Sequence, residues 1–286
     1  MNDSLHPLNT LYTIAINAAL EAGAAIASIY NRGFQVRYKE DQSPLTEADL
    51  ASHNCIKNKL AGCGLPLLSE EGNIPSWEQR KSWNRYWLID PLDGTKEFVK
   101  RNGEFTVNIA LMEKDFPIFG VIYIPVSREL YFGSQQTGSY RMILEDEKPL
   151  VKINGFEEWK IAATRLPVPR NTKDIWLMLS RSHVSEKTGV WLKQIEKHFG
   201  SIKTLNVGSS IKFCRMAEGM VQLYPRFSPT MLWDTAAGQA IAEGAGMAVI
   251  SLSDKRRLAY HREELRNPDF VAFDSRFISV ELLKDL

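Results

Sequence analysis

The segment that most constrains the fold of this chain runs from Trp87 to Phe98 and reads Trp-Leu-Ile-Asp-Pro-Leu-Asp-Gly-Thr-Lys-Glu-Phe. The apolar residues at its start, Tyr86 to Ile89, predict a buried strand, and the proline and glycine that follow predict a sharp turn out of it. Two carboxylates, Asp90 and Asp93, lie on that turn three positions apart. The segment therefore predicts a rigid acidic turn at the end of a buried strand.

The chemistry of this turn indicates a metal ion and a phosphate together. Two anions held this close repel each other, which raises the pKa of one or both unless cations neutralise them. Carboxylates on a rigid strand end suit Mg²⁺, which binds a few carboxylates, waters and phosphate oxygens. Gly94 allows the backbone to approach an anion closely, and consecutive turn N–H groups can bind one.

Two other interpretations of the same turn compete with a metal site. Asp, Pro and Gly are common in ordinary type I turns, and short motifs carry a real risk of false matches. A phosphatase with a nucleophilic aspartate would carry two carboxylates two positions apart after a strand. The three-residue spacing of Asp90 and Asp93 points the second side chain elsewhere and disfavours that class.

Composition limits the classes of protein that remain. A chain of 286 residues with 44% apolar residues can form one large domain or two closely packed ones. A net charge of +1 gives no indication of a nucleic-acid polymer as partner. No run approaches the roughly 18 apolar residues of a membrane span, and residues 1–7 lack a secretory pattern. We expect a cytoplasmic protein whose three cysteines are reduced and buried.

Periodicity predicts helices and a β-meander in the first half of the chain. The predicted helices cover 8–30 and 46–61, and the predicted strands cover 66–69, 86–89, 105–112, 118–125 and 129–133. After residue 160 the predicted elements alternate between helix and strand, which favours a mostly parallel or mixed sheet. These elements cover 175–179, 185–199, 202–207, 209–218, 220–224, 233–244 and 247–250. We therefore predict an N-terminal α+β part (1–160) and a C-terminal α/β part (161–286) within one compact unit.

Further carboxylates stand where predicted elements begin or end. Glu70 and Glu71 follow one predicted strand, and Asp234 opens a helix of small residues. A helix cap or first-turn acid is an alternative role for Asp234, and a capping box that begins at Thr46 is one for Asp49. A capped helix start is also a rigid mount for a functional carboxylate, so these roles are compatible.

Three separated segments resemble the motifs of the inositol monophosphatase superfamily, a group of Mg²⁺-dependent, Li⁺-sensitive phosphatases. They are Ser69 to Glu71, Asp90 to Thr95 and Trp233 to Gly238. The resemblance extends from the first helix to the last strand. It implies a mixed α+β and α/β fold, the layered αβαβα sandwich of the sugar-phosphatase type.

Within the superfamily the chain is most similar to the bacterial bisphosphate nucleotidases. The segments that carry this similarity are Ser43 to Asp49, Lys96 to Leu111, Ser180 to His183, Gly208 to Lys212 and Tyr224 to Phe227. Ser228 departs from the pattern, because glycine is expected after this phenylalanine. The departure concerns a substrate loop and leaves the metal ligands intact.

The resemblance implies a role for each matching acidic residue. Glu70, Asp90 and the carbonyl of Leu92 would hold one Mg²⁺, and Asp90, Asp93 and Asp234 a second, with a weaker third ion near Glu70. A carboxylate that bridges two cations keeps them about 3.5–4 Å apart, the separation that serves an in-line displacement.

The remaining residues of the reaction centre follow from the same resemblance. Asp49 and the Thr95 hydroxyl would orient a metal-activated water and accept its proton, and Glu70 joins them as a catalytic candidate. The N–H groups of Gly94 and Thr95 would bind phosphate oxygens, in a substrate site that Glu70, Leu92, Asp93 and Asp234 also line. No covalent enzyme intermediate is needed.

A second substrate phosphate would require cationic and hydroxyl groups in the second half. The candidates are Ser180, Arg181, Ser210, Lys212 and Arg226. For any single cation among them, solvated surface charge is the alternative. His183 is expected to be a hydrogen-bonding partner, and Tyr224 and Phe227 either flank a base or pack in the core.

The resemblance thus implies Mg²⁺-dependent hydrolysis of the 3′-phosphate of adenosine 3′,5′-bisphosphate (PAP) to AMP, and of its sulfated analogue PAPS to APS, in sulfur metabolism. An inositol monophosphatase or a broader sugar phosphatase with the same metal site is the alternative. A non-catalytic scaffold has no support, because all four metal-binding carboxylates are present together with Asp49 and Thr95. The expected partner is a small nucleotide; the chain would be a monomer or homodimer, with peripheral inner-membrane association as a further family expectation.

Overall fold

The computed structural model describes residues 6–38, 44–145, 153, 155–168, 174–180 and 186–279. Within these ranges the helices are α1 (Leu8–Arg32), α2 (Glu47–Leu60), α3 (Trp77–Arg80), α4 (Thr95–Val99), α5 (Phe156–Ala162), α6 (Glu186–Phe199), α7 (Ile211–Ala217) and α8 (Leu232–Gly244). The strands are β1 (Val36–Tyr38), β2 (Pro44–Thr46), β3 (Leu67–Ser69), β4 (Arg85–Asp93), β5 (Thr106–Glu113), β6 (Phe116–Ile124), β7 (Glu129–Ser134), β8 (Gly138–Ile143), β9 (Thr164–Leu166), β10 (Ile175–Ser180), β11 (Ile202–Val207), β12 (Leu223–Arg226), β13 (Met247–Ser251) and β14 (Phe270–Asp274).

The first half of the chain builds a seven-stranded sheet in the order β3-β4-β5-β6-β7-β8-β9. The pair β3–β4 is parallel, and every other neighbouring pair is antiparallel. Short turns connect β5, β6, β7 and β8, as expected for the meander that the sequence predicts between residues 105 and 133.

The second half builds a five-stranded sheet in the order β11-β10-β12-β14-β13. Strand β10 is parallel to both of its neighbours, whereas β14 is antiparallel to β12 and β13. The sheet is therefore mixed, which agrees with the alternation of helices and strands in this part of the sequence.

Among the described residues, three apolar cores fill the four interfaces between five layers of structure, because one core extends over both sides of α8. Successive residues of a strand point to opposite faces, so Trp87 and Ile89 of β4 join the core formed with α1 and α2, whereas Leu88 joins the core formed with α7 and α8. On the other side of α8, Phe270 joins the same core as Leu88, here called the middle core. Val271 joins the core formed with α6, here called the outer core. The order of layers is helix, sheet, helix, sheet, helix, which confirms the predicted αβαβα sandwich.

The sequence misplaced or missed several elements. The strand predicted at 220–224 begins at Leu223, and β8, β9 and β14 have no counterpart among the predicted elements. Strand β14 is buried on both faces, so its residues lack the alternation that reveals a half-buried strand. The division near residue 160 remains a prediction, and β9, the last strand of the first sheet, lies just after it.

Helix α1 is long and apolar enough to cross a membrane by length and composition, although sequence inspection found no such run. In the fold, 56% of its most apolar 18-residue window is buried. Its buried residues pack against α2 and the seven-stranded sheet. This is the burial of a core helix.

The three cysteines all lie in the described ranges and form no disulfide there. Cys63 and Cys214 are buried, as the sequence predicts, whereas Cys55 is partly exposed. Burial raises the pKa of all three thiols, most strongly that of Cys214. They are therefore protonated near neutral pH and carry no nucleophilic role.

Candidate active site

A cleft of about 370 Å³ opens where the two halves of the chain meet. Its walls come from the turn after β3, the end of β4 with the start of α4, the loop before α7, the end of β12 and the start of α8. Among the sequence-predicted site residues, the cleft is lined by Glu70, Asp90, Leu92, Asp93, Gly94, Thr95, Ser210, Arg226 and Asp234.

The end of β4 is irregular, and the irregularity brings its two carboxylates to the cleft. Asp90 pairs with Asn108 of β5, and the register then shifts so that Asp93 pairs with Thr106. Such a bulge redirects side chains that a regular strand would point to fixed faces. The Leu92 amide donates a hydrogen bond of 3.0 Å to Asp90 Oδ1 and so stabilises the turn.

Three carboxylates from different elements converge in the cleft. One ligand oxygen from each of Glu70, Asp90 and Asp234 lies within 4.8 Å of the other two. Strand β3 runs parallel to β4 and carries Glu70 to the same sheet edge as Asp90. Asp234 reaches them from the first turn of α8. Residues 164 positions apart in the sequence therefore share one site.

The electrostatics of this group suit a cation. Burial, and then the charges of Glu70, Asp93 and Asp234, raise the pKa of Asp90 well above its usual range. Burial, and then the charges of Asp93 and Glu70, do the same for the pKa of Asp234. A set of carboxylate oxygens with so much mutual repulsion fits a hard divalent cation, which would neutralise it.

Asp93 lies in the cleft but outside this group of three. Its Oδ2 accepts hydrogen bonds from the Ser210 amide at 2.5 Å and from Asn108 Nδ2 at 3.5 Å. Burial raises the pKa of Asp93 to about 6, although the Lys212 ammonium and the Ser210 amide oppose the rise. Asp93 therefore joins the end of β4 to the loop that opens α7.

Asn108 is a buried part of the site that sequence inspection did not single out. Its Oδ1 accepts hydrogen bonds from Ser210 Oγ at 2.8 Å and from Thr106 Oγ1 at 3.0 Å. Its position opposite Asp90 depends on the register of β4 and β5, which no local pattern specifies. It fixes both the Asp93 carboxylate and the Ser210 side chain.

Asp49 reaches the cleft through Thr95. The Thr95 hydroxyl lies 3.1 Å from Asp49 Oδ1 and 3.3 Å from the Leu92 carbonyl oxygen. Asp49 Oδ2 accepts hydrogen bonds from the amide and the hydroxyl of Thr46, so the capping box that the sequence offers as an alternative is present. Burial raises the pKa of Asp49, and the Thr46 hydrogen bonds oppose the rise.

Gly94 occupies a position that few other residues could fill. Its φ of +95° lies in the left-handed region. A Cβ at this position would lie 2.9 Å from the Glu104 carbonyl oxygen and 3.2 Å from Ser209 Cβ. The close approach of these loops explains why the acidic turn needs glycine.

Of the two predicted substrate cations in this part of the fold, Arg226 lines the cleft, whereas Lys212 is buried behind the lining residues. Lys212 is 6% exposed, and its ammonium lies 3.4 Å from the Val207 carbonyl oxygen. Burial lowers the pKa of Lys212 to about 8, although the Asp93 charge opposes this change. Arg226 is partly exposed; its Nη2 donates to the Pro229 carbonyl at 3.4 Å, while Nε and Nη1 are buried without a hydrogen-bond partner.

The other predicted substrate residues are less well defined. Ser180 ends β10, and Arg181 and His183 lie outside the described residues. Tyr224 lines the cleft, but its ring packs edge-on against Phe213 in the middle core. Phe227 packs edge-on against Trp191 in the outer core.

Several cleft residues have no role predicted from the sequence, although three of them lie within its family-like segments. Lys96, Glu97, Thr230, Met231 and Thr235 line the cleft. Glu104 supports it, since its Oε2 accepts a 2.7 Å hydrogen bond from the Gly208 amide. The family-like run from Lys96 to Leu111 contains Glu97, Glu104 and Asn108, so the signal is present in the sequence without a role attached to it.

The fold and the acidic cleft define a class. The chain belongs to the inositol monophosphatase family, whose model matches residues 8–275. The metal dependence of this family's phosphatases agrees with the group of converging carboxylates.

Within this family, the chain is similar over most of its length to several proteins with established names. The chain is 42% identical over 258 residues to the 3′(2′),5′-bisphosphate nucleotidase CysQ of Salmonella typhimurium, and the match covers 88% of this chain and 95% of the relative. The crystal structure of CysQ from Bacteroides thetaiotaomicron superimposes with a TM-score of 0.84 at 42% identity, covering 94% of this chain and 98% of the other. The SuhB protein of Bartonella henselae shares the fold, with a TM-score of 0.69 at 21% identity and 96% coverage of both chains.

Proposed function

We propose that the protein is a Mg²⁺-dependent 3′(2′),5′-bisphosphate nucleotidase that hydrolyses the 3′-phosphate of PAP to give AMP and inorganic phosphate, and that converts PAPS to APS. The observation that carries the proposal is that a group of carboxylates and a cationic side chain line the same cleft. The converging carboxylates Glu70, Asp90 and Asp234 suit cations. Arg226 lines the same cleft, and its buried Nε and Nη1 have no hydrogen-bond partner within the part of the chain that the structure describes. The relatives that carry this activity in their names include one that matches 88% of the chain at 42% identity and one that matches 96% at 32% identity.

We assign residues to the metal ions as the family resemblance implies. Glu70, Asp90 and the Leu92 carbonyl would hold one Mg²⁺, and Asp90, Asp93 and Asp234 a second, with a third near Glu70. When bound, two such ions lower the pKa of an attacking water and neutralise charge on the phosphoryl oxygens. Li⁺ would inhibit by competing for these carboxylates.

Proton transfer is assigned to the pair Asp49 and Thr95. The Thr95 hydroxyl lies 3.1 Å from Asp49 Oδ1 and lines the cleft, whereas Asp49 does not. Thr95 would orient the water and pass its proton to Asp49, whose raised pKa makes it a better acceptor than an ordinary aspartate. The water oxygen would bond to phosphorus while the bond from phosphorus to the 3′ oxygen breaks, and the leaving 3′ oxygen would take a proton from solvent water to give the 3′-hydroxyl of AMP. The amides of Gly94 and Thr95 would bind the phosphoryl oxygens.

The 5′-phosphate is assigned to the opposite wall. Ser210, Lys212 and Arg226 would supply a hydroxyl, an ammonium and a guanidinium, which are the groups that recognise phosphate. Arg226 is the strongest candidate because Nε and Nη1 are buried and lack a partner. Ser180, the last residue of β10, and Arg181, which follows it in the sequence, complete the proposed substrate set.

Phosphate release from matched substrates tests the proposal. With Mg²⁺ present, the protein should hydrolyse PAP with a kcat/KM well above that for inositol 1-phosphate, and Li⁺ should inhibit both reactions. Arg226→Gln should raise KM for PAP by about ten- to a hundredfold, as expected for one lost charge-assisted hydrogen bond. The same variant should change KM for 3′-AMP, which lacks the 5′-phosphate, by less than threefold.

The outcome that contradicts the substrate assignment is a clear preference for inositol 1-phosphate, which would make the chain an inositol monophosphatase. Lys187→Gln is the matched control, because Lys187 is an exposed cation paired with Asp269 on the surface. It should leave both kcat and KM unchanged.

Two further proposals concern the state of the protein in the cell. We propose that it acts in the cytoplasm on a small phosphate ester and functions as a monomer or homodimer. Sedimentation analysis at micromolar concentration decides between these two states. Cell fractionation tests the location and detects any association with the inner membrane.

A further inference from the structure

Asp234 is held by the peptide backbone that precedes α8. The Met231 amide donates a 2.9 Å hydrogen bond to Asp234 Oδ2, and the Met231 carbonyl accepts one of 3.2 Å from the Asp234 amide. One carboxylate oxygen is therefore fixed while the other is left for the cleft. The orientation of the two peptide groups that flank Met231 consequently sets the direction in which Asp234 points.

One residue of a distant loop, Asn267, contacts both of those peptide groups, and the Leu232 amide holds the second one further by donating to the Leu265 carbonyl at 2.9 Å. The backbone N–H of Asn267 donates to the Thr230 carbonyl at 2.8 Å, and its side-chain Nδ2 donates to the Met231 carbonyl at 2.7 Å. Because a peptide group is planar, holding the Thr230 carbonyl also fixes the direction of the Met231 N–H, which binds Asp234.

The Asn267 amide also reaches the two threonines beside Met231. Its Nδ2 lies 2.9 Å from Thr235 Oγ1 and 3.1 Å from Thr230 Oγ1. Asn267 is 7% exposed, and Thr235 and Thr230 both line the cleft. The amide has two hydrogens for three acceptors, so the shortest contact, to the Met231 carbonyl, is the principal one.

The loop that presents Asn267 is itself rigidly held. Arg262 Nη2 donates to Asn267 Oδ1 at 2.8 Å, which fixes which end of the side-chain amide faces the cleft wall. Arg80, which is 5% exposed and lies on α3, donates to the carbonyls of Arg262 and Glu263 at 3.1 and 3.0 Å. Pro268 further restricts the backbone of Asn267 to extended conformations.

We propose that Asn267 is a positioning residue for the metal site: its side-chain amide holds the backbone at Met231 so that Asp234 faces Glu70 and Asp90. The proposal rests on the proposed function only in taking these carboxylates as Mg²⁺ ligands. Groups that orient metal ligands from outside the coordination sphere typically contribute ten- to a hundredfold in metal affinity or activity. Asn267 acts through the peptide groups that flank Met231, without touching the cation.

Two substitutions of Asn267 distinguish the effect of its hydrogen bonds on Mg²⁺ binding from the effect of an added charge. Asn267→Leu keeps the size of the side chain and removes its hydrogen bonds. Asn267→Asp keeps an acceptor for Arg262 but replaces the amide donor by a carboxylate oxygen, which the Met231 carbonyl repels. An added negative charge would by itself strengthen Mg²⁺ binding. If Asn267→Asp binds Mg²⁺ more weakly than the parent, the loss of the hydrogen bonds and not the added charge is therefore the cause.

Calorimetric titration of the metal-free protein with MgCl₂ is the test. Both variants should bind Mg²⁺ at least tenfold more weakly than the parent, and the Mg²⁺ concentration for half-maximal PAP hydrolysis should rise by the same factor. KM for PAP at saturating Mg²⁺ should change by less than threefold. Gln222→Glu is the matched control, since Gln222 is a buried amide that accepts from the Trp176 amide in the five-stranded sheet.

An Mg²⁺ dissociation constant within twofold of the parent in folded Asn267 variants would overturn the proposal, even if their Tm falls. If neither variant folds, Arg262→Met removes the donor that orients the Asn267 amide and should weaken Mg²⁺ binding severalfold, although the loss of a positive charge by itself would strengthen it; unchanged binding would overturn the proposal. Absence of PAP hydrolysis by the parent would instead contradict the proposed function. The calorimetric result does not depend on that activity, so the two failures are distinguishable.

Discussion

The Ser210 amide nitrogen lies 2.5 Å from Asp93 Oδ2, so the loop that opens α7 is bonded directly to the acidic turn that ends β4. This contact joins residues 117 positions apart in the sequence. It places a carboxylate proposed to bind metal and a hydroxyl residue proposed to bind substrate on the same hydrogen-bonded path. Changes on either side of the cleft should therefore affect the other.

Asp93→Asn tests the carboxylate set directly. Removing one charge from a crowded anionic site weakens Mg²⁺ binding, and we expect kcat to fall by at least about a hundredfold, the upper end of what an outer-sphere change costs. The fold should persist, because an amide keeps the acceptor for the Ser210 amide and relieves repulsion. Steady-state kinetics and circular dichroism check the two expectations. Asp174→Asn, which alters an exposed ion pair with Lys203, is the control.

The hydrogen bond between Thr95 and Asp49 predicts reductions of kcat that differ in size among three substitutions. Asp49→Asn should lower kcat by about 10²–10⁴-fold, the usual contribution of a positioned general base. Thr95→Val should also lower kcat, whereas Thr95→Ser retains the hydroxyl and should stay within about tenfold of the parent. Wild-type kcat in Thr95→Val, measured at saturating PAP and Mg²⁺, would exclude this residue from proton transfer.

The raised pKa values in the cleft predict coupled effects of pH and Mg²⁺ on stability. In the metal-free protein, burial raises the pKa of Asp93 to about 6 and that of Asp90 and Asp234 further. A raised folded-state pKa stabilises the protein below the unfolded-state pKa, and this contribution is lost as pH rises through the folded-state value.

Accordingly, the Tm of the metal-free protein should fall between pH 5 and pH 7.5, and Mg²⁺ should raise Tm more at pH 7.5 than at pH 5. Cations displace the bound protons, so calorimetry at pH 6 in two buffers of different ionisation enthalpy should detect proton release. A Tm increase by Mg²⁺ that is equal at both pH values would contradict the assignment.

A buried ionic cluster beneath α7 predicts a stability effect away from the cleft. Arg215 donates to Glu129 Oε1 at 2.9 Å and to Glu218 Oε1 at 2.9 Å, and both carboxylates are less than 10% exposed. Although burial raises the pKa of Glu129, the Arg215 hydrogen bonds outweigh it and hold that pKa well below its usual range. Arg215→Ala would leave two buried carboxylates without this partner.

We expect Arg215→Ala to destabilise the protein by about 3 kcal/mol or more, which corresponds to a fall in Tm of about 5–10 °C. Lys203→Ala removes a partner of an exposed ion pair and should cost less than about 1 kcal/mol. Urea denaturation of both variants measures the difference. Equal midpoints for the two variants would show that the cluster contributes nothing to stability.

The sequence predicts best the elements whose periodicity is strong. Helix α1 has apolar residues at helical spacing throughout, and its predicted range of 8–30 is two residues short of the observed end at Arg32. The three-residue strands β1, β2 and β9 are too short to carry a period, and β14 is buried on both faces. These elements are defined by their partners in the sheets, which local sequence does not reveal.

The same distinction applies to the site. Acidic residues at element ends, together with family-like motifs, are enough to single out Glu70, Asp90 and Asp234, which converge in the fold. Asn108 lies in the family-like run from Lys96 to Leu111 but has no role attached to it there, and Asn267 lies in none of the family-like segments. Asn108 depends on the register of two strands, and Asn267 on the contact of two loops 32 or more positions apart.

Helix α8 presents Asp234 at one end and lies between the two sheets along the rest of its length. At the opposite end, a Cβ on Gly244 would meet the Ser134 carbonyl oxygen at 2.5 Å, so even the smallest enlargement there must displace the helix. A substitution at this end of α8 would thus shift Asp234, the residue proposed to bind metal, at the other end of the helix. Heat-sensitive alleles that map to this helix should accordingly be rescued by magnesium salts in the growth medium.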